Sequence, residues 1–191
     1  MSSSQGPKNR KHSRSANSKP STNTNPSSGA KPVNKSARQV ALDILIKVEE
    51  AGAYSNLQLN RSLQQSDLSR QDAALVTELV YGTISRKLTI DYWLSHLVAK
   101  GLNKLQPWVH QLLRLSLYQL IWLDRIPAHA AVNEAVNIAK KKGHQGISGM
   151  VNGVLRNVLR RQQELTIEGI VLDSEAATLS VRHSFPEWLV G

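Results

Sequence analysis

The sequence of 191 residues contains no cysteine, and this absence excludes several kinds of chemistry. Disulfide bonds, thiolate zinc sites and a cysteine nucleophile all need a sulfur atom that the chain does not have. A long apolar run is also lacking, because the stretch from Leu112 to Leu123 is interrupted by Arg114, Ser116 and Gln119 and falls short of a bilayer span. The N-terminus is basic but has no apolar stretch that fits a signal peptide. We therefore expect a cytoplasmic protein with no membrane partner.

Residues 1–38 have no acidic side chain, and they account for most of the net charge of +10. The rest of this stretch is mainly Ser, Asn, Thr, Pro and Gly, which bury too little apolar surface to offset the entropy lost on ordering. We predict that residues 1–35 form a disordered basic tail. Such a tail either contacts phosphates without reading sequence or serves only as a solubilising extension, and the composition leaves both alternatives open. The basic residues of this stretch are Lys8, Arg10, Lys11, Arg14, Lys19, Lys31, Lys35 and Arg38.

Apolar residues recur at helical spacing along the remaining chain, and no segment of useful length alternates with period two. We therefore predict an all-α fold without a sheet. Capping residues, prolines and glycines mark where helices start and stop. They predict helices over 36–51, 57–63, from 69 to beyond 80, 88–98, 107–123, 127–142 and 147–161, and short ones after Asp173 or Ser174 and after Pro186.

The helix that follows Pro107 has apolar residues around most of its circumference, so we predict that it is central and the most buried. Gly82 lies inside an earlier helix, where glycine costs roughly 1 kcal/mol relative to alanine. Its presence indicates either a close helix contact or a joint before the next segment. Trp93, Trp108 and Trp122 lie on helical segments and are expected to pack in the core rather than stack on bases.

Arg114 and Glu134 are charges within helices that otherwise look buried. Because an unpaired buried charge is too costly to persist, we predict that these two residues form a structural ion pair. No nucleophile or metal cluster accompanies them, so no catalytic residue is predicted. His110, His129 and His144 show no metal-ligand spacing, and no metal site is expected.

Five blocks in order resemble the N-terminal domain of bacterial 16S rRNA cytosine-C5 methyltransferases of the methyltransferase B family. More loosely, they resemble the transcription antitermination factor NusB. The resemblance covers residues 36–161 and implies a NusB-like, RNA-binding fold of two packed three-helix bundles. The blocks are GAYSNLQLN (Gly52 to Asn60), LVYGTI (Leu79 to Ile84), LLRLSLYQL (Leu112 to Leu120), RIPAHAAVNEAVNIAKK (Arg125 to Lys141) and MVNGVLRNVLR (Met150 to Arg160).

The segment HSFPEWLV (His183 to Val190) resembles the stretch that leads into the methyltransferase half of that family. Residues 162–191 are therefore expected to be a linker and the start of this stretch. The resemblance implies a following catalytic domain with catalytic cysteines and a glycine-rich loop for S-adenosylmethionine, and none of it occurs up to Gly191. We expect no cofactor in this chain and S-adenosylmethionine in the full-length enzyme. The implied partners are small-subunit ribosomal RNA and either the protein's own catalytic domain or a ribosomal protein.

The stretch from Ala139 to Arg161 is basic and contains no acidic residue, and we predict that it binds RNA. Its loop GHQGISG has three glycines, which let backbone amides approach a phosphate. Alternatively, the lysines are an ordinary helix end and the arginines a solvated face. Asn133, Asn152 and Gly153 are expected to serve packing and helix-end hydrogen bonds. The predicted RNA-binding residues are Lys140, Lys141, Lys142, His144, Arg156, Arg160 and Arg161.

Three functions are compatible with the sequence. The first is an RNA-positioning module of a 16S rRNA methyltransferase, which the resemblance of His183 to Val190 favours. The second is a stand-alone antitermination factor of the NusB type that binds RNA together with a protein partner. The third is a module that docks only on protein.

Overall fold

The computed structural model describes residues 35–52 and 56–190, and these ranges contain helices and no strand. The predicted all-α class is confirmed. The disorder predicted for residues 1–35 lies outside the described residues, apart from Lys35. The helices are α1 (Ala37–Ala51), α2 (Asn56–Gln64), α3 (Arg70–Ser85), α4 (Lys87–Leu97), α5 (Pro107–Trp122), α6 (Ala128–Lys142), α7 (Gln145–Arg160), α8 (Glu175–His183) and α9 (Glu187–Val190), with a 3-10 turn over Leu102–Lys104.

Helix α1 shows how the terminal residues fix the limits of a helix. The hydroxyl of Ser36 accepts a hydrogen bond from the backbone N–H of Gln39 at 3.3 Å, and the Gln39 side chain accepts one from the Ser36 backbone at 3.0 Å. This reciprocal pair satisfies two N–H groups that have no partner inside the helix. At the other end Gly52 has φ +66°, a left-handed conformation that glycine adopts without strain. Ser69 and Ser174 also cap helices, because their side chains accept hydrogen bonds from the backbone N–H groups of Asp72 in α3 and Ala177 in α8.

Helix α5 is the centre of the fold, as predicted. It packs against α1, α3, α4, α6 and α7, and most of its residues are buried. Helix α1 packs on α2, α3 and α5, whereas α6 and α7 pack on each other and on α5. Residues after α7 also pack on this body, because Ile170 is fully buried and α8 contacts α4.

The predicted packing role of the three tryptophans is confirmed. Trp93 is buried, and the ring of Trp122 stacks on it with 5.5 Å between centroids. The ring of Tyr118 also stacks on that of Trp122, with 5.6 Å between centroids. Trp108 is half-buried against the core, and its indole N–H donates a hydrogen bond to the side chain of Gln106 at 2.8 Å.

Gly82 permits close contact between α3 and α5. Helix α3 runs through this residue and ends only at Ser85, so Gly82 is not a joint. A methyl group at Gly82 would lie 1.9 Å from Cζ of Tyr118, far inside van der Waals contact. Of the two alternatives that the sequence offered, close contact is therefore the correct one.

Comparing Gly82→Ala with Gly153→Ala tests this contact. Both substitutions gain about 1 kcal/mol of helix propensity. Only the first displaces the Tyr118 ring, and overpacking of this kind costs about 1 to 3 kcal/mol. Nothing lies within 4 Å of the added Cβ at Gly153. The free energy of unfolding in urea should therefore be higher for Gly153→Ala than for the wild type. It should be about 1 to 3 kcal/mol lower for Gly82→Ala than for Gly153→Ala. Equal free energies of unfolding for the two variants would contradict the contact.

The predicted ion pair between Arg114 and Glu134 is wrong, although each residue does have a partner of opposite charge. Arg114 donates two hydrogen bonds to Asp91 on α4, at 2.8 and 2.6 Å, and one to Glu49 on α1 at 3.4 Å. Glu134 accepts one from Arg38 on α1 at 2.5 Å. Helical periodicity indicates that both residues face inward, but the neighbours they meet depend on how the helices are arranged around α5.

Candidate nucleic-acid interface

Four of the seven predicted RNA-binding residues, Lys140, Lys141, Lys142 and His144, lie at the short connection between α6 and α7. The other three, Arg156, Arg160 and Arg161, lie at the far end of α7. Only Gly143 and His144 separate the two helices, and residues 140–146 are all exposed. His144 caps α7, because its ring Nδ1 accepts a hydrogen bond from the backbone N–H of Gly146 at 3.1 Å. This cap explains why α7 begins at Gln145, two residues before the predicted start. The connection is accessible to a large ligand.

Lys140, Lys141 and Lys142 form the last turn of α6, where their charges complement the helix dipole. Their side chains are exposed, and none of them pairs with an acid among the residues that the structure describes. The ammonium group of Lys142 lies 5.8 Å from the centre of the Trp108 ring, close enough for a cation–π contact. The three lysines therefore keep their positive charge available to a ligand.

Arg156 and Arg160 lie one turn apart on α7 and are exposed. Arg156 donates a hydrogen bond to the side-chain oxygen of Asn152 at 3.2 Å, and Arg160 donates one to that of Asn157 at 2.8 Å. These amides orient the guanidinium groups without neutralising them. Arg161 differs, because it forms an ion pair with Glu164 at 2.8 Å. Of the predicted arginines, Arg161 is thus the least available to an anionic ligand.

We call Lys140, Lys141, Lys142, Arg156 and Arg160 the junction cations. Their charges are unneutralised within the described part of the chain. Three of them lie in the last turn of α6 and two in the last two turns of α7. Sequence reasoning did not include Lys100 and Lys104, which lie near the start of α7. These two lysines line an apolar groove next to α7, together with His144. These lysines reach the groove because the segment after α4 packs near α7, and the linear sequence gives no signal of that packing.

A second groove lies between α6 and α7, and we call it the amide groove. Asn133, previously assigned to packing, is exposed in this groove and makes no side-chain hydrogen bond with a described residue. Gly153 is also exposed, with open space at its Cβ position. The packing role predicted for these two residues is wrong, whereas Asn152 does make a hydrogen bond within its helix, to Arg156. The amide groove is lined by Asn133, Val136, Asn137, Lys140, Gln145, Ser148, Gly149 and Asn152.

Within residues 35–52 and 56–190, no three side chains of the metal-binding types His, Cys, Asp and Glu come together in a group. In the same ranges, every helix is too short or too polar to cross a bilayer.

The model of the NusB family matches residues 35–160, which is more than half of the chain. The chain belongs to the NusB family. The resemblance inferred from the five sequence blocks is thereby confirmed, and both the central helix and the junction cations fall inside the matched region of this NusB-family domain.

Curated relatives of the NusB-family domain include two bacterial proteins. The chain is 46% identical over 159 residues to the probable ribosomal RNA small subunit methyltransferase B of Bacillus subtilis. It is 39% identical over 155 residues to the protein of the same name from Synechocystis sp.. Each match covers 81% of this chain but 34% of the relative. The chain therefore spans about a third of the length of these relatives.

Solved structures show the same fold. One, of the antitermination factors NusB and NusE in complex with double-stranded RNA, matches with a TM-score of 0.60 and 19% identity, covering 65% of this chain and 93% of the other. Another, of T. maritima NusB, matches with a TM-score of 0.58 and 23% identity, covering 65% of this chain and 88% of the other. At these identities the likeness establishes the NusB fold alone.

Proposed function

We propose that this NusB-family domain is the RNA-binding module of a 16S rRNA cytosine-C5 methyltransferase. In this proposal it positions small-subunit ribosomal RNA for a catalytic domain outside residues 1–191. The observation on which the proposal depends is the set of junction cations, exposed and without acidic partners among the described residues. The relatives named as small subunit methyltransferases supply the substrate class.

The physical reason is that RNA presents a high density of phosphate charge. Cationic side chains that neutralise phosphates release condensed counterions, and this release drives binding without reading sequence. Helical RNA is recognised mostly through its shape, its phosphates and its 2′-hydroxyl groups. Exposed cations on two rigid, packed helices suit this mode of recognition, because their positions relative to one another are fixed by the core.

S-adenosylmethionine, the expected cofactor of the whole enzyme, does not fit the residues described. Dinucleotides and related cofactors are held at the end of a strand by a glycine-rich turn, and residues 35–52 and 56–190 contain no strand. The chain also has no cysteine to serve as the nucleophile expected from the resemblance. We therefore assign the methyl-transfer step, and the cofactor with it, to the catalytic domain.

The salt dependence of RNA affinity tests the proposal. Affinity of the full chain for a small-subunit rRNA hairpin should fall by about two orders of magnitude between 50 and 200 mM salt, as expected for about five phosphate contacts. Fluorescence anisotropy at a series of salt concentrations measures the slope. A chain that binds no RNA, or binds it with no salt dependence, would contradict the proposal and favour a module that docks only on protein.

A further inference from the structure

The amide groove is rich in hydrogen-bonding groups that carry no charge. Asn133 and Asn137 lie one turn apart on α6, so their side chains are on the same face of that helix. Gln145 and Ser148 line the opposite side from α7, and Lys140 lies at the end of the groove. No acidic side chain lines it. The groove can therefore accept a ligand that has both hydrogen-bond acceptors and negative charge.

Most of the amides in this groove are unoccupied within the described part of the chain. Asn133 and Asn137 are exposed, and the side chains of Asn133, Asn137 and Gln145 make no hydrogen bond to a described residue. Each amide offers one acceptor oxygen and two N–H donors. Asn152 is the exception, because its oxygen accepts a hydrogen bond from Arg156. The groove thus presents paired donors and acceptors, the pattern that matches the edge of a nucleobase.

The shape of the groove is compatible with a nucleotide. This open groove has a volume of about 360 Å³, within the range of sites that hold small ligands. On the α7 side, Gly149 has no side chain, and nothing lies within 4 Å of the position where a Cβ would be. A flat ring can therefore approach the helix backbone there. The groove also adjoins the junction cations, because Lys140 belongs to both.

We propose that the amide groove binds one unpaired nucleotide of the RNA held by the junction cations. Asn133 and Asn137 hydrogen-bond to the edge of its base, and Lys140 contacts its phosphate. This inference rests on the proposed RNA-binding function and adds to it a preference for RNA with an unpaired loop. Base edges are accessible to side chains in loops, whereas the grooves of paired RNA expose them poorly.

The test compares two RNAs and two double variants of the full chain. One RNA is a hairpin with an unpaired loop, and the other is a blunt duplex with the same stem. The variant Asn133→Ala/Asn137→Ala should lose about tenfold in affinity for the hairpin, as expected for a base contact, and keep its affinity for the duplex. Its salt dependence should be unchanged, because no cation is removed.

The matched control is Asn60→Ala/Gln64→Ala, which removes two exposed amides at the same spacing from α2. It should leave both affinities as in the wild type. Equal losses for hairpin and duplex, or no loss for either, would overturn the nucleotide site while leaving salt-dependent RNA binding by the wild type intact. If the wild type binds neither RNA, the proposed function and the nucleotide site are overturned together.

Discussion

Replacing Lys140, Lys141 and Lys142 by glutamate is expected to weaken binding to a small-subunit rRNA hairpin by about a hundredfold or more at low salt. The three side chains are exposed and have no acidic partner among the described residues, so each substitution exchanges an attraction to phosphate for a repulsion. Each lost phosphate contact should also reduce the slope of log affinity against log salt by about 0.7 to 0.9. Titrations at two salt concentrations measure both effects.

The matched control is Lys47→Glu/Arg61→Glu/Arg70→Glu, which changes the net charge by the same amount on α1, α2 and α3. These three side chains are also exposed. A comparable loss in the control would mean that RNA responds to the total charge rather than to the α6–α7 connection. A chain without residues 1–34 completes the comparison, since a larger loss there than in the lysine variant would place the main contact in the basic tail.

The substitution Asp91→Ala is expected to destabilise the fold by about 3 kcal/mol or more. It removes both short hydrogen bonds to Arg114, whose side chain is 5% exposed, and leaves that guanidinium with Glu49 at 3.4 Å. Removing one partner of a buried ion pair typically costs about 3 to 5 kcal/mol, because the other charge remains buried. Urea unfolding of the variant and the wild type gives the difference.

Asp43→Ala is the control, because it breaks a pair with Lys35 whose side chains are 34% and 60% exposed. Exposed pairs contribute about 1 kcal/mol or less. The double variant Asp91→Ala/Arg114→Ala should cost less than the sum of its single substitutions, since it leaves no unpaired guanidinium. Equal effects of Asp91→Ala and Asp43→Ala, or strictly additive costs, would contradict the assignment of Asp91 as the main partner of Arg114.

The contribution of Asp91 to the stability of the fold should also depend on pH. Burial alone would raise the pKa of its carboxyl group, but hydrogen bonds from His110 and Arg114 outweigh burial and lower the pKa below its ordinary value. A carboxyl whose pKa falls on folding stabilises the native state above its unfolded pKa of about 4 and loses this effect as pH falls towards the folded pKa. The stability difference between the wild type and Asp91→Ala should therefore shrink in acid.

The helices could be predicted because their limits depend on nearby residues. Ser36 and Gln39 cap α1 within four residues of each other, and Pro107 and Gly143 mark helix ends by their own backbone preferences. The burial of α5 also follows from its own composition. The presence of a basic surface on α7 was predictable for the same reason, since Arg156 and Arg160 recur at helical spacing.

The partners across helices could not be predicted from the sequence. Arg114 meets Asp91, 23 positions away, and Glu134 meets Arg38, 96 positions away, and neither spacing has a local signal. The ion pair of Arg161 with Glu164 is local, three positions apart, but that spacing permits a contact without requiring it. The amide groove exists only because α6 and α7 pack side by side, so Asn133 looked like a packing residue in the linear sequence.

The half-buried indole of Trp108 adjoins the end of α6, with Lys142 near its face and Gly143 beside its edge. Indole emission is sensitive to nearby charge and to solvent, so an anion that draws Lys142 away alters the light emitted by this side chain. Trp93 on α4 and Trp122 on α5 stack on each other, and Trp188 on α9 is exposed, so these three indoles give the background emission. The protein thus has an intrinsic optical reporter at the very place where we expect its ligand.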